Sequence, residues 1–322
     1  MQMTKIDQRR RKLTRSYELT SELRLRILGY HERGEFFSRL ERLKLNVEYQ
    51  FLSHYFAAPP QWRLWFRRFG GGRVLPDFCV VGPIKSGTSD LAVNLLLHPH
   101  VLAPIAKEIY ATDPSQWRIF YPTQRQKQRH VDSYGIALCP YLAPFLHWTE
   151  LPYNLSQLQP QTKVVLILRE PAARFYSQWK WEKFLSGRSR ASALPFLATF
   201  PSYVRHSLSL FPEHLSYTAS GFQPLQTSIY WKAVQYWIEC FGSQNVRVFD
   251  IDDYFKEPGK FLQVIYDFVG LPPFEMREAG EIVNENPLKL PPPEHDSILE
   301  LREFFQPHND KLWSVIGRKF AW

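Results

Sequence analysis

The sequence predicts an α/β fold in which helices cover both faces of a central parallel sheet. Three short apolar runs, at residues 78–81, 163–168 and 245–250, have the β-branched and aromatic content of buried strands. A segment with helical periodicity follows each run. Strands that alternate with helices are typical of a parallel sheet built from crossover units, so we expect three layers.

The chain divides at a run of three glycines into a basic, amphipathic helical extension, residues 1–75, and an α/β domain, residues 76–322. Apolar residues of the extension recur at spacings of three and four, as on one face of a helix. Residues 61–69 then combine tryptophan and phenylalanine with arginine. This segment either rests on a membrane surface, as part of a peripheral contact through residues 1–70, or packs the extension on the main domain. The apolar positions of the predicted helix are Phe36, Leu40, Leu43, Val47 and Phe51.

The composition favours anionic partners. Lysine and arginine number 40 against 31 acidic residues, which gives a net charge of +9. No zinc-finger, RNA-binding or homeodomain pattern is present, so we expect no nucleic-acid partner. The three cysteines are widely spaced, which argues against a disulfide framework and against a cysteine zinc site. Because the N-terminus shows no signal peptide or membrane span, we expect a cytoplasmic protein; its oligomeric state stays open.

A phosphate cradle follows the first strand. The turn at residues 82–89 carries glycine, lysine and hydroxyl residues and leads into a helix. The first N–H groups of a helix have no partner within it and point at an anion, and the helix dipole favours negative charge there. The residues assigned to this cradle are Lys85, Ser86, Gly87, Thr88 and Ser89.

The cradle differs from a Walker A loop, which requires a lysine directly after its second glycine. Here Thr88 follows Gly87, and Lys85 comes two residues earlier. A phosphate donor other than a nucleoside triphosphate is therefore favoured. The alternative is a P-loop kinase or NTPase acting on a small molecule, with Asp250 or Asp252 as the magnesium ligand.

A second anion-binding turn follows the second strand. That strand ends at Arg169, and Pro171 suits the first position of a helix. Such a helix would bring Ser177 back toward the strand end. Because parallel strands end at the same edge of a sheet, we expect both turns to lie side by side.

The remaining segments complete the alternation. Helices are predicted at residues 229–241 and 258–269, and a last helical region at 294–316 is expected to break near Gln306 and Pro307. The long segment 184–228 is expected to carry substrate loops and a short helix at 203–208. Arg205, Trp179 and Trp181 are candidates to line an acceptor cleft, and core packing is the alternative for the two tryptophans.

The two turns carry a family resemblance. PIKSGTS at residues 83–89, followed by LREPAARFYSQW at residues 168–179, resembles the paired phosphate-binding signatures of PAPS-dependent sulfotransferases. The resemblance implies a P-loop-like three-layer fold, PAPS as cosubstrate, PAP as product and no required metal. It also implies that the cradle residues hold the 5′-phosphosulfate, with Lys85 acting in catalysis, and that Arg169 and Ser177 hold the 3′-phosphate.

The carbohydrate branch of that family, of the heparan and chondroitin type, is the more similar. Lys107-Glu108 followed by Asp113 resembles its K-E-x-x-x-x-D segment, and residues 304–320 resemble its C-terminal pattern. The resemblance implies that Glu108 is the general base and assigns Lys107 and Asp113 to the substrate. The expected reaction is in-line transfer to a hydroxyl or amine of a carbohydrate or small-molecule acceptor. His147 is the rival base, and a non-catalytic module that binds membranes or polyanions is the third hypothesis.

Overall fold

The computed structural model describes residues 59–186, 194–212, 223–275, 286 and 288–322, together with isolated positions between 38 and 47. Most of the helical extension predicted for residues 1–75 therefore lies outside the described residues. Of its predicted apolar face, Phe36 and Phe51 lie outside as well, while the other three positions are exposed to solvent. The described residues include a four-stranded sheet and helices that cover it.

A parallel sheet lies at the centre of the described part of the chain. Its strands are β1 (Phe78–Val81), β2 (Pro140–Ala143), β3 (Lys163–Leu168) and β4 (Val246–Asp250). Their order is β2-β1-β3-β4, with every pair parallel. Strands β1 and β3 are direct neighbours, as the prediction of two adjacent turns requires.

The helices lie on both faces and at one end of this sheet. In the described residues they are α1 (Gln61–Arg67), α2 (Thr88–Leu97), α3 (Gln124–Tyr134), α4 (Glu150–Leu158), α5 (Pro171–Ser186), α6 (Phe200–Leu210), α7 (Trp231–Phe241), α8 (Ile251–Lys256), α9 (Pro258–Val269) and α10 (His295–Ile316). Helix α6 confirms the short helix expected at 203–208. None of the described helices combines the length and apolar character that crossing a bilayer would need.

Two hydrophobic layers sandwich the sheet, which confirms the three-layer α/β prediction. Successive side chains of a strand point to opposite faces. Leu166 of β3 accordingly packs with Trp237 of α7 on one face, while Ile167 packs with Leu95 of α2 and Leu262 of α9 on the other. Both alternating sets of β3 are apolar, and this explains its continuous apolar run.

A third cluster lies beyond the carboxyl edge of the sheet. Phe175 of α5, Phe200 and Tyr203 of α6, and Phe305 of α10 meet there and are almost completely buried. Part of the insertion at 184–228 thus packs against the helix that follows the second turn. This packing holds α5 in place beside the site.

The predicted break in the last helix is wrong. Helix α10 continues through Pro307 from His295 to Ile316. Phe305 packs in the third cluster before the proline, and Leu312 packs against the sheet after it. Burial on both sides of the proline offsets a helix defect of about 3 kcal/mol.

Candidate active site

The predicted cradle has a conformation that few residues accept. Helix α2 begins at Thr88, directly after Gly87, whose φ of 79° lies in the left-handed region. Lys85 also has a positive φ, of 69°. A methyl group on Gly87 would lie 2.7 Å from Ile251 Cγ1, and one on Gly82 would lie 2.4 Å from Ser86 Oγ. The turn therefore needs glycine at two points to wrap this tightly around the start of α2.

Ser86 supports the turn from inside. Its side chain is buried, and its hydroxyl donates to the Pro83 carbonyl at 2.8 Å. Thr88 is buried as well, whereas Ser89 is half-buried at the start of α2. The structure thus gives Ser86 a bracing role that the sequence did not predict, and direct phosphate contact by these hydroxyls stays a prediction.

The two predicted anion-binding turns meet. Arg169, at the end of β3, donates from Nη1 to the Lys85 carbonyl at 3.2 Å. The Tyr230 hydroxyl donates to the Arg169 carbonyl at 3.0 Å and fixes the backbone there. Arg169 Nε is buried and has no hydrogen-bond acceptor among the described residues. A buried guanidinium N–H without an acceptor is suited to an anionic ligand.

Arg174, which the sequence prediction did not assign, braces the cradle from below. It is completely buried and donates from Nη1 to the Ile84 carbonyl at 3.0 Å. It also donates to Ser228 Oγ at 2.7 Å and to the Pro224 carbonyl at 2.6 Å. Burial lowers the pKa of Arg174 from its ordinary value. The planar guanidinium thus ties the turn to α5 and to the segment before α7.

One face of α5 faces the cradle and carries Ser177. Residues 174, 177 and 181 share a helix face because they are three and four positions apart. Arg174 contacts the cradle backbone, and the Lys85 ammonium lies 4.7 Å from the centre of the Trp181 ring. Ser177 is half-buried and lies between these two contacts along the helix. The spacing of three and four positions between residues 174, 177 and 181 is visible in the sequence, and it identifies the face of α5 that is turned toward the cradle.

The two tryptophans left open by the sequence separate here. Trp179 is buried in the third cluster with Phe200, and its Nε1 donates to the Leu197 carbonyl at 3.2 Å. Trp181 is only partly buried and faces Lys85. Trp179 is therefore a packing residue, and Trp181 belongs to the site.

Glu108, the predicted general base, is held by two neighbours. Lys107 Nζ donates to Glu108 Oε1 at 2.6 Å, and the Tyr110 hydroxyl donates to Oε2 at 2.9 Å. The Lys107 side chain is 3% exposed and that of Glu108 is 31% exposed. Burial raises the pKa of Glu108, but Lys107, Tyr110 and the charge on Lys85 together bring this pKa below its ordinary value. The group is thus an oriented carboxylate at neutral pH, and Lys85 lies close enough to act on it.

Lys107 and Asp113 already have partners within the protein. The Lys107 ammonium is directed at Glu108. Asp113 caps the 3₁₀ helix Pro114–Phe120, where its carboxylate accepts from the Ser115 N–H at 2.9 Å and from the Ser115 hydroxyl at 2.7 Å. These hydrogen bonds lower the pKa of Asp113. The predicted contacts of both residues with the substrate stay predictions.

The rival residues are engaged elsewhere. His147 Nε2 lies 3.1 Å from the Ile229 carbonyl, and burial lowers the pKa of this histidine to about 4. Asp250 caps α8 by accepting from the Asp252 N–H at 3.0 Å, and it accepts from Trp322 Nε1 at 2.5 Å. His147 is thus a packed, neutral histidine, and both carboxylate oxygens of Asp250 have partners. Within the described ranges, no group of three or more His, Cys, Asp or Glu side chains is arranged to hold a metal ion.

Comparison with known families agrees with this geometry. The sequence matches the sulfotransferase domain family over residues 75–286, which is more than half of the chain. This chain belongs to that family. It is a PAPS-dependent sulfotransferase, and PAPS is its sulfuryl donor.

The sulfotransferase is similar to curated enzymes with carbohydrate substrates in their names. It is 25% identical over 268 residues to the mouse and human heparan sulfate glucosamine 3-O-sulfotransferase 5, covering 77% of this chain and 74% of theirs. Carbohydrate sulfotransferase 15 of mouse is 23% identical over 316 residues, covering 78% of this chain and 55% of that enzyme.

A solved structure shows the same fold. The sulfotransferase from Alicyclobacillus acidocaldarius superimposes with a TM-score of 0.54 at 21% sequence identity, covering 77% of this chain and 98% of that one. Together with the family match, this superposition supports the predicted P-loop-like architecture.

Proposed function

We propose that this sulfotransferase moves the sulfuryl group from PAPS to a hydroxyl of a carbohydrate acceptor and releases PAP. The contact of Arg169 with the Lys85 carbonyl carries the proposal, because it joins the two anion-binding turns at one edge of the sheet. The oriented Glu108 carboxylate, whose pKa responds to the charge of Lys85, supplies the acceptor side. The names of the 3-O-sulfotransferase 5 and carbohydrate sulfotransferase 15 relatives support a sugar acceptor.

On the donor side, the start of α2 receives the 5′-phosphosulfate. The N-terminal N–H groups and the helix dipole stabilise its charge, and the tight turn at Gly87 lets the backbone approach closely. Arg169, whose buried Nε has no acceptor among the described residues, donates to the 3′-phosphate with Ser177 nearby on α5.

On the acceptor side, Glu108 accepts the proton of the attacking hydroxyl. The hydroxyl oxygen forms a bond to sulfur on the face opposite the phosphate, and the bond from sulfur to the bridging oxygen of PAPS breaks. Negative charge then develops on the leaving phosphate, where the Lys85 ammonium stabilises it. Lys107 and Tyr110 keep the Glu108 carboxylate in position throughout.

The first test separates the base from the donor site. With labelled PAPS and a panel of desulfated glycosaminoglycans, we expect Glu108→Gln to bind PAP normally but to lower kcat by about a hundred- to ten-thousand-fold. Lys85→Ala should lower kcat and also weaken donor binding, because this ammonium acts on the phosphosulfate.

Matched controls on exposed positions keep this test specific. Glu257→Gln and Lys256→Ala alter the same residue types at exposed positions outside the site and should leave turnover unchanged. Full turnover by Glu108→Gln would show that Glu108 is not the general base. Sulfation of none of the sugars, with turnover on a small-molecule phenol or amine, would contradict the carbohydrate acceptor.

We also propose a peripheral membrane contact within residues 1–70, supported by the aromatic residues that α1 exposes. The cytoplasmic location and the domain boundary at residue 75 stay predictions.

A further inference from the structure

Helix α1 is fixed to the catalytic domain by its arginine side. Arg67 donates from Nε to the Ile119 carbonyl at 2.5 Å and from Nη2 to the Tyr121 carbonyl at 2.6 Å. Arg73 donates to the same Tyr121 carbonyl at 2.8 Å and to the Arg67 carbonyl at 2.9 Å. Burial and the charges of neighbouring arginines lower the pKa of Arg67 to about 10, which leaves it charged at neutral pH. The side of this short helix that carries Arg67 is therefore its docked side.

The opposite side of α1 presents aromatic rings to solvent. Three rings of the helix lie on one face at spacings of three and four, a fourth ring follows two residues after the helix ends, and their exposed fractions run from 52% to 71%. The Trp65 ring lies 5.0 Å from that of Phe66 and 4.9 Å from that of Phe69, and Trp62 lies 6.4 Å from Phe66. The rings thus form one continuous surface, which we call the aromatic face: Trp62, Trp65, Phe66 and Phe69.

This arrangement reverses the usual orientation of a surface helix. An amphipathic helix of a globular protein buries its apolar stripe and exposes its charges. In α1 the polar contacts are made inward by Arg67, while the apolar stripe faces outward. Scattered exposed rings are common on protein surfaces, but a contiguous apolar surface marks a site of interaction.

We propose that the aromatic face binds the interfacial region of an anionic lipid bilayer. Tryptophan rings prefer the boundary between headgroups and acyl chains, where their apolar area is covered. Arg63 and the exposed Arg68 flank the face, and the net charge of +9 adds long-range attraction to anionic headgroups. Seven helical residues span only about 10 Å, a length that suits a shallow contact and cannot cross the membrane.

The proposed contact is separate from the sulfuryl-transfer chemistry. Arg67 docks on the carbonyls of residues 119 and 121, at the end of the segment that follows Glu108. Lipid binding is measured without PAPS or acceptor. A failure of the membrane contact therefore leaves the proposed sulfuryl transfer untouched, and a failure of the sulfuryl transfer leaves the membrane contact untouched.

The test uses the full chain and sedimentation with vesicles of phosphatidylcholine alone or mixed with phosphatidylserine. We expect binding to the mixed vesicles, weaker binding to phosphatidylcholine and loss of binding as salt rises. The double variant Trp65→Ser, Phe66→Ser should weaken binding by about tenfold or more, because two rings no longer enter the interface. Arg68→Gln should weaken binding to the mixed vesicles only.

Control substitutions elsewhere on the surface test whether vesicle binding depends on the aromatic face. Tyr153→Ser and Leu299→Ser remove apolar groups that are also exposed and should leave vesicle binding unchanged. Thermal stabilisation by PAP should be the same in every variant, which shows that the fold is retained. Absence of binding to mixed vesicles, or equal binding by the double variant, would overturn the proposal. A concentration-dependent dimer that the double variant abolishes, without vesicle binding, would instead assign the face to a second copy of the chain.

Discussion

Arg169 and Lys85 are 84 positions apart in the chain, and a hydrogen bond joins them in the structure. Each residue lies just beyond the carboxyl end of its strand, and β1 and β3 are parallel neighbours with Val81 opposite Leu166. The sequence predicted this meeting from topology alone, because parallel strands end at the same edge. The roles of individual side chains were harder to predict, because they depend on which polar groups form hydrogen bonds with each other inside the protein.

Lys107 and Arg174 show where that difficulty lies. Lys107 was assigned to the substrate; its ammonium is buried against Glu108, and its contact with the substrate stays a prediction. Arg174 had no predicted role, although its guanidinium spans Ile84, Ser228 and Pro224. The contacts of Arg174 join segments that are 50 to 90 positions apart in the chain, and no local pattern encodes them.

The pairing of Lys107 with Glu108 predicts a pH dependence. Because Lys107 lowers the pKa of Glu108, the carboxylate persists to a lower pH than an ordinary glutamate would. Lys107→Met removes that charge, so the pKa of Glu108 should rise and the acid limb of kcat should move to higher pH. The measurement is kcat against pH for both proteins. Lys260→Met, at an exposed pair on α9, should leave the limb in place, and an unmoved limb in Lys107→Met would show that Glu108 does not set it.

At the scale of helices and strands, an element could be predicted where its pattern of apolar residues in the sequence was clear. The five residues of β3 that follow Lys163 are all apolar, and both faces of the strand are covered. Strand β2 was not predicted, because it has four residues and starts with Pro140. Proline is tolerated at the start of an edge strand, so Pro140 does not prevent β2 from forming. It does weaken the pattern by which a strand is predicted from the sequence. The predicted break in α10 was wrong for the related reason that packing outweighs a local defect.

The cradle turn supplies a prediction at the same scale. Gly87→Ala places a methyl group 2.7 Å from Ile251 Cγ1. The substitution also forces alanine into a φ of 79°, which residues with a side chain rarely adopt. The left-handed conformation alone costs about 1–2 kcal/mol, so we expect lower stability and weaker PAP binding. Urea unfolding and calorimetric titration with PAP measure both effects.

Gly259→Ala is the matched control for this prediction. Gly259 lies in α9 with no heavy atom within 4 Å of the added methyl group, and its φ is not in the left-handed region. This substitution should leave PAP binding unchanged and raise stability slightly, because alanine favours a helix more than glycine. Equal behaviour of the two variants would show that the cradle does not need its left-handed turn.

At the scale of the whole molecule, the two predicted anion-binding turns meet at one edge of the sheet, and helix α5 packs beside them. Helix α5 joins the cradle, through Arg174 and Trp181, to the third cluster, through Phe175. Glu108, the proposed general base, is carried on a separate segment beside Lys85. The proposed mechanism therefore requires a single nucleotide to contact both turns at the same time.

Thermal unfolding with PAP, AMP or ATP with magnesium tests this requirement most directly. A ligand at 100 times its Kd stabilises a protein by about 2.7 kcal/mol, and PAP differs from AMP only in its 3′-phosphate. We expect PAP to stabilise the wild-type protein more than AMP or ATP, Arg169→Ala to abolish the difference between PAP and AMP, and the exposed Arg129→Ala to preserve it. An undiminished preference for PAP in Arg169→Ala, or greater stabilisation by ATP with magnesium, would contradict the account.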